Sequence, residues 1–231
     1  MTFVAGFLGM KDGYVLARCM EICKNLRIKT IYYEHHENIQ EDLDVLFVFR
    51  YRKIIPKEVL YRPALGCIMT HYSKLPKYRG FYPINQAVRN GETEIGITMF
   101  YGDDGVDTGD ILCQRVVKIE INDTIAQIYE MCDDCAIDMF CNVIFQILQG
   151  NEPRTKQPTV DNIHIYSSKE LPAEINGLDI GSFSVEQLHN YIRSLTGAGQ
   201  EAAYIEDDTH RLYFEKTWLV CRAQSQGWFK R

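Results

Sequence analysis

Five consecutive apolar residues, Val45-Leu46-Phe47-Val48-Phe49, constrain the fold more than any other stretch of this chain. A strand with one wet face alternates apolar and polar residues, so a strand with no polar position needs cover on both sides. Such strands belong to parallel sheets clothed by helices. The neighbouring runs agree. Thr2–Ala5 reads as a buried first strand, Gly6, Gly9 and Gly13 as a turn, and Tyr14–Leu26 as a helix by its periodicity. Lys29–Tyr33, rich in Ile, Thr and Tyr, is a second strand. Pro56 suits the start of a short helix over Lys57–Leu60, and Gly66–Thr70 is the next strand.

The alternation continues. Pro83–Arg89 reads as a short helix ended near Asn90-Gly91, Glu94–Tyr101 as a strand, Gly102–Gly109 as a loop and Ile111–Ile121 as a strand. Asp123-Thr124 caps a long helix running to about Leu148, with Gly150 beyond its end. The fold class expected is α/β: a Rossmann-like, mostly parallel twisted sheet flanked by helices. The 231 residues suffice for one large domain with an appendage. Composition shifts toward Pro, Lys, Thr and Asn from Asn151, which places a main domain over 1–158 and an extension over 159–231. In the extension, Ser184 can cap a helix reaching about Leu195, with Gln187 at the reciprocal capping position. Ala202–Glu206 and Arg211–Phe214 then flank a turn at Asp207-Asp208, as in a β-hairpin.

A net charge of −6 argues against a broad nucleic-acid footprint, which relies on Lys and Arg neutralising phosphates. The opening MTFVAGFLGMKDGYVL is too short and too interrupted to span a bilayer, and no targeting signal is visible, so a cytoplasmic protein without a membrane partner is expected. The cysteines at 19, 23, 67, 113, 132, 135, 141 and 221 then read as reduced thiols. Cys132 and Cys135 form a CxxC inside a helical run with no second Cys/His pair at ligand spacing, so we read them as structural and expect no metal.

Sheets of this kind place their sites beyond the carboxyl ends of the strands. His71 follows a strand directly, and the loop before Ile111 delivers Asp107 to the same edge. A carboxylate beside an imidazole fixes its tautomer and favours its protonated form, and such a pair can accept and pass on a proton. A hydrogen-bonded structural histidine would give the same local sequence. The turn Gly9-Met10-Lys11-Asp12-Gly13 could meet a phosphate at a helix N-terminus, although it does not spell GxGxxG.

The segments HYSKLPKYRGFYPI (71–84) and GDDGVDTGDIL (102–112) resemble the folate-dependent formyltransferases, above all those acting on amino sugars linked to nucleotides. The resemblance implies that His71 is the catalytic base, that Asp107 orients it, and that Met69 stands where the family has the Asn that donates to the oxyanion. A thioether offers no donor, so a reduced rate is expected unless Thr70 or protonated His71 compensates. It also implies a donor, N10-formyltetrahydrofolate, seated between a wall matching Tyr51, Arg52, Ile54 and Ile55 and a loop of Tyr101, Gly102, Asp103 and Asp104. Ile54 and Ile55 fit a plain core role equally well. Acceptor contacts fall to Lys11, Ser73, Lys77, Tyr78 and Arg79. The acceptor implied is a nucleotide-linked amino sugar such as dTDP- or UDP-4-amino-4,6-dideoxyglucose, and the family suggests a homodimer. Methionyl-tRNA formyltransferases resemble the first part equally well, but carry a larger C-terminal domain, and tRNA calls for a basic surface. Two alternatives stay open: a non-catalytic folate or nucleotide-sugar binder, and a formyltransferase acting on a purine precursor.

Overall fold

The structure is a computed structural model; it describes residues 2–11, 13–39, 42–171, 182–196, 202–206 and 211–214. Strand β1 (Val4–Gly9), helix α1 (Tyr14–Asn25), β2 (Lys29–Tyr33), β3 (Val45–Phe49), α2 (Lys57–Leu60) and β4 (Cys67–His71) form the first half. There follow β5 (Arg79–Gly80), α3 (Pro83–Arg89), β6 (Glu94–Tyr101), β7 (Ile111–Lys118) and α4 (Ile125–Leu148). Last come β8 (Ile165–Tyr166), α5 (Val185–Leu195), β9 (Ala203–Glu206) and β10 (Arg211–Phe214).

The main sheet has six strands in the order β2-β1-β3-β4-β6-β7. The first four run parallel, and β6 and β7 complete the sheet antiparallel. All five residues of β3 are buried, as their uniform apolar character requires. Phe47 and Phe49 join Phe7 in packing on Phe140 of α4, with the Phe47 and Phe140 rings edge-to-face at 4.8 Å. Leu46 and Val48 face the other way, into a second cluster with Leu8, Ile55, Val59 and Leu60. Each such side chain contributes about 1.5–3 kcal/mol on burial, which is why the central strands need no polar face.

Several boundaries differ from the sequence reading, three of them with a clear physical reason. Gly6 and Gly9 lie inside β1 and not in a turn: a Cβ on Gly6 would come within 2.5 Å of Leu43 Cδ1 and 2.9 Å of Leu46 Cδ1, and one on Gly9 within 2.4 Å of the Phe49 carbonyl oxygen, so these glycines make room for neighbours. Strand β4 runs one residue further than expected, making His71 its last residue, because its pairing with β6 reaches Thr98. Strand β7 stops at Lys118, where its register with Glu94 ends.

Both long-helix starts carry reciprocal caps, Thr124 with Gln127 on α4 and Ser184 with Gln187 on α5. Together such caps are worth about 1 kcal/mol per helix. Beyond α4 the chain returns to the main sheet where Thr155 bridges Ile111, and β8 then pairs in parallel with β5 in a separate two-stranded sheet. Tyr191, Ile192 and Leu195 of α5 form a small cluster with Leu171 and Ala203, against which Tyr82 and Phe214 pack. Strands β9 and β10 pair antiparallel, with Tyr204 against Tyr213 at 5.7 Å, while the turn at Asp207-Asp208 and Cys221 lie outside the described residues. No helix among the described residues is long and apolar enough to cross a membrane.

Candidate active site

Alternation along β4 places Met69 and His71 on one face and Thr70 on the other. Thr70 therefore lies on the opposite face of β4 from the imidazole.

The loop after β4 is stapled to the sheet by hydrogen bonds. The buried hydroxyl of Thr98 donates to the Ser73 carbonyl at 2.7 Å and accepts from Leu75 N at 3.2 Å. Gln114 Nε2 donates to the Leu75 carbonyl and to the Thr98 hydroxyl, each at 2.9 Å. Gly96 lets the loop lie directly on β6, since a Cβ there would stand 2.2 Å from Lys74 N. Ser73 Oγ donates to the Lys77 carbonyl at 2.6 Å. The loop then turns at Tyr78, whose backbone is left-handed (φ 56°), and the Tyr78 carbonyl faces His71 Nε2 at 2.8 Å. A carbonyl only accepts, so the partner assigns a hydrogen to Nε2 and leaves Nδ1 as the nitrogen that can gain or lose a proton.

Asp107 arrives from the opposite side. In its loop, Asp103 Oδ1 accepts from Gly105 N at 3.1 Å and from Thr108 Oγ1 at 2.5 Å. Asp107 itself has φ 52°, a left-handed conformation that aspartate tolerates better than most residues. Its Oδ2 accepts from Gly80 N at 2.8 Å and lies 3.6 Å from His71 Nδ1. Both side chains are largely enclosed, 10% and 17% exposed. The imidazole and the carboxylate thus adjoin, although the loop carrying Asp107 leaves β6 at Tyr101, opposite Ile68 near the start of β4 and not at the end that bears His71.

The residues expected to wall the donor divide. Ile55 is 6% exposed and belongs to the core, whereas Ile54 is 88% exposed, so the two do not share one role. Tyr51 OH sits 2.7 Å from His36 Nδ1, and the Arg52 guanidinium lies 5.8 Å from the Tyr82 ring centre. Asp104 accepts from Lys57 and, at 3.2 Å, from Tyr61 OH, which ties helix α2 to the loop carrying Asp107. The Lys57 hydrogen bond holds the Asp104 carboxyl below the usual range. Tyr101 is buried beneath Arg154, 3.9 Å from the ring centre. Gly102 leaves space for Met69: a Cβ there would meet Leu60 Cδ2 at 2.9 Å and Met69 Sδ at 3.0 Å.

The acceptor candidates divide as well. Tyr78 and Arg79 adjoin the dyad, and Tyr78 OH donates to Glu92 Oε1 at 2.9 Å. Burial, ahead of any partner, pushes the Tyr78 phenol up to about 12. Lys77 is exposed and 3.9 Å from Glu92. Ser73 is buried and spent on its own loop. Lys11 is exposed at the end of β1, and no hydrogen bond or ion pair joins it to the others among the described residues.

Two features escaped the sequence reading. Gln157 Nε2 donates to the carbonyls of Asp107 (2.9 Å) and Gly109 (2.8 Å), and its Oε1 accepts from Arg79 Nη2 at 2.6 Å. At the carboxyl end of β3, Arg50 Nη2 lies 2.6 Å from buried Asp133 Oδ1, which also accepts from Tyr72 OH. The Arg50 guanidinium sits 5.3 Å and 4.8 Å from the Tyr72 and Tyr129 ring centres. Burial raises the Asp133 carboxyl despite these partners. Cys132 is buried and Cys135 half-buried on α4, and no group of three metal-ligating side chains occurs among the described residues.

Residues 31–144 match a family model described as formyl transferase. A methionyl-tRNA formyltransferase of Clostridioides difficile (strain 630) is 35% identical over 152 residues, 66% of this chain and 48% of that protein. The chain spans about half the length of the curated relatives it matches. Among solved structures, a methionyl-tRNA formyltransferase from Clostridium thermocellum superposes with TM-score 0.73 at 20% identity, covering 95% of this chain and 94% of that one. An N-formyltransferase from Helicobacter canadensis, in complex with folinic acid and dTDP-3-aminofucose, gives TM-score 0.73 at 19% identity, covering 90% and 85%. At these identities the two likenesses are of fold.

Proposed function

We propose, from the premise that the chain carries a formyl transferase domain over residues 31–144, that it moves a formyl group from N10-formyltetrahydrofolate to the primary amine of a nucleotide-linked amino sugar. The observation that carries this reading is the dyad: His71 Nδ1 at 3.6 Å from Asp107 Oδ2, with Nε2 committed to the Tyr78 carbonyl. The amine nitrogen attacks the formyl carbon, the C=O electrons move onto oxygen, and His71 Nδ1 takes the amine proton. Collapse re-forms the carbonyl, breaks the bond to folate N10 and returns a proton to that nitrogen, leaving a formamide and tetrahydrofolate. The imidazolium formed in between has an acceptor for each N–H, Tyr78 O and Asp107 Oδ2, so positive charge is met where it develops. The donor would rest between the 51–55 segment and the 101–104 loop, which Lys57 and Asp104 hold together.

Two considerations support the sugar acceptor: the chain's acidity, net −6, and a fold neighbour described with dTDP-3-aminofucose. One finding favours a second reading, methionyl-tRNA, since the curated relatives at 33–35% identity carry that name. The deciding experiment offers N10-formyltetrahydrofolate with dTDP- and UDP-4-amino-4,6-dideoxyglucose, and separately with methionyl-tRNA, and looks for the formamide by mass spectrometry. Formylated sugar is the expected product. Product from tRNA alone would move the assignment, and no product from any acceptor would sink the catalytic reading.

A further inference from the structure

We propose that Gln157 is a positioning residue for the dyad, acting through Asp107; this deepens the function proposed above and rests on it. The carboxylate of Asp107 faces His71 from a backbone held at φ 52°, a conformation that costs free energy in a non-glycine residue and persists where surroundings over-determine it. Gln157 supplies that determination. Its Nε2 hydrogens reach two carbonyls of one turn, Asp107 O at 2.9 Å and Gly109 O at 2.8 Å, and pinch the turn shut. An amide has two N–H donors and one oxygen, so both hydrogens are used and the oxygen is left for Arg79 Nη2 at 2.6 Å.

Arg79 opens β5, and the next residue, Gly80, gives its N–H to Asp107 Oδ2. The residue before Arg79, Tyr78, gives its carbonyl to His71 Nε2. One amide therefore fixes the Asp107 backbone on one side and, through Arg79, the 78–80 segment that holds both the carboxylate and the imidazole. The segment bearing Gln157 is itself anchored, by the Thr155–Ile111 bridge before it and by the β8–β5 pairing after it. Gly80 is required for that pairing, since a Cβ there would stand 2.3 Å from Tyr166 O. Neither hydrogen bond from Gln157 reaches a reacting atom, so its effect lies in orientation.

The test compares wild type with Gln157→Leu, which removes every bond, and Gln157→Glu, which keeps size and the acceptor for Arg79 but loses both donors. Expected for both is a kcat lower by roughly 10- to 100-fold, the scale of a small misplacement of reacting groups, with KM for donor and acceptor and the affinity for folinic acid within about twofold. The 15N resonances of the His71 ring should shift from a pure Nε2–H form toward a tautomer mixture. Should Gln157→Leu fail to fold, Gln157→Glu decides. A kcat within twofold of wild type in Gln157→Glu, or a fall in kcat matched by an equal loss of folinic acid affinity, overturns the assignment. If wild type itself formylates no acceptor, the functional reading fails and the imidazole resonances alone decide: unchanged 15N shifts in Gln157→Glu dismiss the positioning role.

Discussion

The two nitrogens of His71 are divided between two acceptors from different parts of the chain: Nε2 donates to the Tyr78 carbonyl at 2.8 Å, and Nδ1 faces Asp107 Oδ2 at 3.6 Å. The first bond is formed; the second, at 3.6 Å, is longer than a formed hydrogen bond. The consequence is directional. Only Nδ1 can exchange a proton without breaking an existing bond, and Asp107 is placed to hold the cation that results.

His71→Asn matches the ring only as far as Nδ1, so its amide falls short of the Tyr78 carbonyl and offers no nitrogen able to accept a proton. We expect formyl transfer to fall by about 10²–10⁴, the range for a positioned general base, while folinic acid binding stays within a few-fold. Single-turnover formylation and calorimetry measure the two. Undiminished turnover would remove His71 from its role.

Gly109→Ala tests the Asp107 loop from below. Its Cβ would be placed 1.6 Å from the Tyr101 carbonyl oxygen, against rigid backbone of β6. The strand cannot yield, so the 102–109 loop must move, taking Asp107 with it. We expect a loss of about 2–4 kcal/mol in urea melts together with loss of turnover, and wild-type stability would contradict the close approach.

Asp133 gives the pH test. Burial raises its carboxyl above the ordinary value of 3.8, so in the window between that value and the raised one the folded state binds more protons than the unfolded state. Stability attributable to this group is present below the unfolded pKa and is lost as pH rises through the folded pKa. Asp133→Asn removes that dependence. Urea melts from pH 3 upward should show wild type losing stability relative to Asp133→Asn as pH climbs through the window, and parallel curves would show that Arg50 and Tyr72 fully offset the burial.

Much of the fold was legible because its signals are local. VLFVF forced a strand covered on both faces, and the caps at Thr124 and Ser184 lie three residues from their partners. His71 and Asp107 were legible through motif resemblance. What stayed hidden depends on distant residues. Gln157 reaches Asp107 across 50 positions and Arg50 meets Asp133 across 83, and no periodicity marks either end. Gly6 was misread because glycine signals turns and tight packing alike. Ile54 and Ile55 are identical side chains, and only the path of the chain into α2 sends one to solvent and the other to the core.

Met69→Asn bears on rate. Met69 lies two residues before His71 on the same face of β4, half-buried beside Leu60 and Gly102, and its thioether donates no hydrogen bond. An asparagine amide at that position would place an N–H donor on the working face. Loss of one oxyanion donor costs roughly 10²–10³ in kcat where it has been measured, which bounds the gain available here. We expect kcat to rise by at least tenfold within that bound, with KM little changed, because the added bond forms only as charge develops on the formyl oxygen. Stability should fall by about 1–2 kcal/mol from lost apolar packing around Leu60, so turnover is compared well below the melting transition. An unchanged kcat would mean that the imidazolium of His71 or a backbone N–H already meets the oxyanion, and that methionine at this position is neutral for the chemistry.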